Sequence, residues 1–193
     1  MPDDHKETLL RYLQVAREAL LWKLDGLSEY DMRRPMTPTG TNLLGIVKHV
    51  ASVEAGYLGD CFGRPFPQAF PWFADDAEFN DDFLVGPEEA SESIIDLYQR
   101  VWAHSDETVR GLAIDAPGRV PWWGDKAEVT LHQILVHITT ETHRHAGHAD
   151  IVREMIDGAV GLGLGRENMP PVDGDWWASY RAKVETAARA ASG

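Results

Sequence analysis

Apolar residues recur at gaps of three and four over four long stretches of this chain, and that spacing limits what it can fold into. Only a helix brings such positions to one side; a half-buried strand needs strict alternation. In "HKETLLRYLQVAREALLWKLDGL", Leu9, Leu13, Ala16, Leu20, Leu24 and Leu27 make one face. "TGTNLLGIVKHVASVEAGYLGD" gathers Leu43, Ile46, Val47, Val50, Val53 and Tyr57, with Thr41 as the expected N-cap and Gly59 near the end. "GPEEASESIIDLYQRVWAHSDETVRGL" puts Pro87 and two glutamates in its expected first turn, then Ile94, Tyr98, Val101 and Leu112 inward. "EVTLHQILVHITTETHRHAGHADIVREMIDG" is the fourth and closes at Gly158. With no alternating segments to compete, the expectation is an all-α fold, an antiparallel four-helix bundle.

The rest of the chain fits around these helices. "DCFGRPFPQAFPWFADDAEFNDDFLVGP" is too rich in proline for a helix and too aromatic for a linker, so it reads as a long aromatic loop covering the bundle. "APGRVPWWGDKAEVT" holds a turn or short hairpin carrying Trp122 and Trp123. After a Gly/Pro-rich crossing, "WWASYRAKVETAARAA" reads as an extra C-terminal helix. Trp176, Trp177, Tyr180 and Val184 then lie at helical spacing, more apolar surface than a terminal helix needs alone, which points to a homodimer. One domain is expected over residues 1–193, with the bundle at about 5–157 and an extension at 158–193.

A net charge of −13 argues against nucleic acid and anionic membranes as partners, since both need a cationic face. No apolar run is long enough to span a bilayer, and the N-terminus lacks a basic start followed by an apolar block. The single cysteine, Cys61, fits a reducing, cytoplasmic setting. Neither G-x-S-x-G nor G-x-x-x-x-G-K occurs, which removes the nucleophile-elbow and phosphate-loop readings.

The fourth stretch raises the chemical question. Leu131, Ile134 and Ile138 continue, at the same gaps, into Glu141, His145, His148 and Val152. Polar residues therefore occupy the core-facing stripe, whereas His132 and His143 fall off it and His137 sits slightly beside it. A carboxylate there is costly unless paired or bound. Glu141 and His145, one turn apart, can chelate one divalent ion, and a third ligand must come from another helix. His49, mid-helix beside Ile46, Val50 and Val53, is the candidate. Spacing alone leaves two readings open: a metal site, or a buried hydrogen-bonded Glu–His network.

At these residues the sequence resembles the DinB superfamily. That family pairs a histidine on the second helix with a histidine or glutamate, then a histidine four positions on, in the fourth. Here "VKHVASVE" and "ETHRHAGHADIVRE" supply the two elements, and "HAGH" stands where the family has "HRGQ", with Gly147 where the helix would approach a neighbour closely. The resemblance implies a metal-binding bundle with ligands His49, Glu141 and His145. Glutamate as the middle ligand resembles the mycothiol-dependent branch of isomerases and S-transferases. His148 replaces the usual glutamine and is expected as a second-layer donor or an extra ligand.

The chemistry expected is that of a divalent ion, zinc first and nickel second, with an open position. Such a position binds a thiol and lowers its pKa, so a low-molecular-weight thiol such as mycothiol can attack a small electrophile. Trp72, Trp122 and Trp123 are the expected walls of the substrate pocket, and Cys61 reads as packing. Two alternatives stand beside this thiol S-transferase or isomerase: a metallohydrolase using metal-bound water, and a non-catalytic stress-response bundle with His148 as fourth ligand.

Overall fold

The computed structural model describes residues 2–74 and 76–191, which are mostly helical. The helices are α1 (Pro2–Trp22), α2 (Glu29–Arg33), α3 (Leu43–Leu58), α4 (Ser91–Gly111), α5 (Leu131–Asp157) and α6 (Gly174–Ala190). Between α4 and α5, β1 (Pro117–Arg119) pairs antiparallel with β2 (Glu128–Thr130), Gly118 lying opposite Val129. Helix α1 packs on α5, and α3 packs on both α4 and α5. No helix among the described residues is long and apolar enough to cross a membrane.

Burial follows the stripes. One cluster joins Leu20, Leu44, Val47, Tyr98 and Val152, and another joins Leu13, Leu58, Ile134 and Ile138. Each such aliphatic side chain, taken out of water, gains about 1.5–3 kcal/mol. Between their apolar runs, α1, α3, α4 and α5 each contribute polar residues that are nonetheless buried: Arg17, Glu54, Ser105, Thr142 and His145. Arg17 donates from Nη2 to Glu54 Oε1 at 2.5 Å, from Nε to Oε2 at 3.1 Å, and from Nη1 to Asp106 at 2.9 Å. Burial works against its charge, but attraction to Glu54 and Asp106 outweighs it and holds the guanidinium pKa above its usual value. Further along, Arg153 of α5 donates to the Lys23 and Asp25 carbonyls at 2.9 Å, satisfying acceptors in the turn that follows α1.

Several helix ends differ from expectation. The N-cap of α3 is Asn42, not Thr41, because the Asn42 side chain accepts from the Gly45 N–H at 2.7 Å. Helix α4 starts at Ser91, after Pro87 and the two glutamates. Glu89 instead accepts from the Gly86 N–H and pairs with Lys48 at 3.0 Å, which draws it out of the helix. The short α2, capped by Ser28 on the Asp31 N–H, carries no apolar period and was not expected.

Gly147 is exposed, and a Cβ there would meet nothing within 4 Å, so it is not a point of close approach. Gly45 fills that role: a Cβ on it would stand 2.2 Å from the Phe83 carbonyl oxygen. This brings the irregular segment between α3 and α4 against the first turn of α3. Phe66, Phe70 and Trp72 of the segment rest on Ala55, Leu97 and Val101, and Phe83 rests on the main core. Phe79 departs from this, being 98% exposed. Helix α6 buries none of its residues; Trp176 and Tyr180 stack on each other at 5.2 Å instead.

Candidate metal centre

Helices α3 and α5 meet where the stripe turns polar. There one ligand atom from each of His49, Glu141 and His145 lies within 4.8 Å of the other two. His145 Nε2 is 3.0 Å from Glu141 Oε1, the i, i+4 pairing their spacing requires. The His49 and His145 rings are 4.8 Å apart, tilted by 60°. His145 Nδ1 is buried with no hydrogen-bond partner among the described residues. Burial first, and then the neighbouring His49, lower the His145 pKa despite the opposing pull of Glu141. The neutral imidazole, with a free lone pair, is thereby favoured.

His49 is held by the segment between α3 and α4. Its Nδ1 lies 2.5 Å from Asp82 Oδ2, and its ring stacks on Phe83 at 4.2 Å. A carboxylate on one imidazole nitrogen fixes the tautomer and leaves the other nitrogen, Nε2, to bind. Two histidines and a carboxylate at these separations suit an ion bonded at about 2.0–2.2 Å.

His148 departs from the stripe. It is exposed, with its ring 5.4 Å from that of His145, and Ala149 takes the buried place that the spacing had offered it. Both a three- and a four-residue step keep a helical face, and the small alanine is the one that fits. His132 and His143 are exposed.

His49 and Glu141 reach the wall of a cavity of about 630 Å³, with Asp82 beside them. Trp122 lines it as well, with Phe70, Phe73, Tyr57 and His137. The other two candidate tryptophans lie outside its lining. Trp72 donates to Ser52 Oγ at 2.8 Å, and Lys48 Nζ sits 4.1 Å from its ring. Trp123 donates to the Tyr57 hydroxyl at 3.1 Å. Cys61 is buried among apolar side chains near Leu58 and Val120, and burial, with Asp60 nearby, pushes its thiol up to about 11. It is no ready thiolate at neutral pH.

Asp82 and His137 were not anticipated in these places. Asp82 sits in an irregular segment whose residues carry no period to read. His137, one turn before Glu141, carried the signal in its spacing, but its contact at 4.6 Å with the Tyr57 ring depends on α3.

Against known families, the model described as mycothiol-S-transferase matches residues 8–158. No curated protein matches the chain. The matched region ends at Gly158, the left-handed cap that closes α5, and leaves α6 outside.

Proposed function

The chain belongs to the mycothiol-S-transferase family, and from that premise we propose that it is a metal-dependent thiol S-transferase acting on a small electrophile. The proposal includes the antiparallel DinB-type bundle, with the segment between α3 and α4 as an aromatic cover, and a cytoplasmic setting suited to its lone buried thiol. The observation that carries it is the His49–Glu141–His145 group, two members of which face a cavity large enough for a small molecule. Zinc, or nickel as the second choice, would be held by these three residues. When bound, it supplies a cation that favours the thiolate form of an added thiol at neutral pH.

The chain's own residues do the rest. Asp82 and Phe83 fix the His49 ring, and burial lowers the His145 pKa, which favours its neutral form. Phe70, Phe73 and Trp122 give the electrophile an aromatic wall to rest on. No protein nucleophile is needed, and the exposure of His148 supports an ion with a position left open rather than one closed by a fourth side chain.

Turnover of a bromobimane is expected to require both the ion and an added thiol, with mycothiol ahead of glutathione, and to survive Cys61→Ser. Full activity without thiol would replace this reading with a metallohydrolase. Loss of activity in Cys61→Ser would replace it with a protein-thiol mechanism.

The proposal also makes the protein a homodimer. Trp176, Tyr180 and Val184 remain 43%, 48% and 52% exposed on α6, which motivates a second copy as their cover. Light scattering at micromolar concentration should return twice the 21.5 kDa chain mass. A monomer mass there rejects the dimer.

A further inference from the structure

The wall of the 630 Å³ cavity carries three carboxylates, Asp60, Asp82 and Glu141, and neither lysine nor arginine among the described residues. An ion bound at His49, Glu141 and His145 would offset Glu141 and Asp82, but a thiolate on that ion and Asp60 would leave the space negative again. A carboxylate-bearing molecule entering it meets like charge with no fixed cation to pair with.

An uncharged donor stands in the same wall and supplies the positive selection. The Tyr57 hydroxyl accepts from Trp122 Nε1 and from Trp123 Nε1, each at 3.1 Å. An indole N–H only donates, so both lone pairs of the Tyr57 oxygen are engaged and only its proton remains to be given. That proton has no acceptor among the described residues, and Tyr57 lines the cavity. Tyr57 lies two turns after His49 on α3, about 12 Å along the axis at 1.5 Å per residue, and helical side chains lean back toward the N-terminus. It therefore meets the remote end of a molecule whose reacting carbon is near the ion site. Phe70, Phe73 and Trp122 line the same cavity and offer aromatic surface to the body of such a molecule.

We propose that this cavity selects uncharged aromatic electrophiles carrying a remote carbonyl-type oxygen, which Tyr57 binds as a hydrogen-bond donor, and that it rejects the matching carboxylates. The inference rests on the S-transferase reading for its reaction and on the cavity wall for its selectivity. It favours transfer to neutral electrophiles over isomerisation of an organic acid.

The matched pair 4-(bromomethyl)benzamide and 4-(bromomethyl)benzoate tests it. In each, the thiolate sulfur forms a C–S bond to the benzylic carbon as the C–Br bond breaks, bromide leaves with the electron pair, and the thiol proton goes to buffer. Rates are taken on the ion-loaded full chain with mycothiol at about pH 8, above the ordinary imidazole value of about 6.5, and divided by the uncatalysed rates. The amide is expected to lead by on the order of tenfold or more in kcat/KM. Asp60→Asn should narrow that ratio, and Tyr57→Phe should raise KM for the amide with little change in kcat. The same preference should appear without chemistry, as tighter binding of 4-methylbenzamide than 4-methylbenzoate to the chelated full chain by calorimetry. Equal rates for amide and acid overturn the selectivity, as does an unchanged amide KM in Tyr57→Phe. If no thiol is turned over but the binding preference holds, the S-transferase reading fails and the selectivity stands.

Discussion

Elemental analysis of His145→Ala is expected to return almost no bound ion, where the parent chain, purified with added zinc, returns about one per chain. The side chain is central to the group: its Nε2 meets Glu141, and its ring lies 4.8 Å from that of His49. Losing one of the three proposed ligands would leave a pair too weak to hold an ion against water. His49→Ala should behave alike, from the other helix. Asp82→Asn is the graded case, because it leaves the ligands in place and removes only the carboxylate on His49 Nδ1. Its ion affinity is expected to fall by about 10–100-fold. His143→Ala, an exposed position on the same helix, is the control. If His143→Ala lost the ion as completely as His145→Ala, or the parent never took one up, the centre would be wrong.

The second large effect concerns stability. Glu54→Ala should cost about 3–5 kcal/mol in a denaturant melt, because it leaves the Arg17 guanidinium buried with part of its pairing gone. Both side chains of the pair are almost inaccessible, at 1% and 0% exposed. The double change Arg17→Met with Glu54→Leu should recover most of the loss, since apolar side chains of similar size need no partner there. A cost below about 1 kcal/mol for Glu54→Ala would mean that water reaches Arg17 and that the pair is not a closed one.

The helices were legible because a buried face repeats, and repetition is what a sequence displays. Leu13, Leu20, Ile134 and Ile138 announce themselves, and Glu141 and His145 were found because they interrupt such a run. Glu54 stands at an equivalent interruption, four residues after Val50 and four before Leu58, yet its partner Arg17 lies on another helix and leaves no local trace. Asp82 was illegible for a stronger reason. Its neighbours 79–83 form turns, its place is set by backbone contact with Gly45, and nothing near it in sequence names His49. The His148 position failed differently: two helical continuations were equally regular, and only packing chose Ala149.

If an ion binds at His49, the link through Asp82 and Phe83 would also make the segment between α3 and α4 its thermodynamic partner. If ion binding favours the imidazole orientation that Asp82 holds, then holding the segment favours the ion by the same factor, since coupling free energies are reciprocal. Resistance of that segment to a protease becomes a gauge of occupancy.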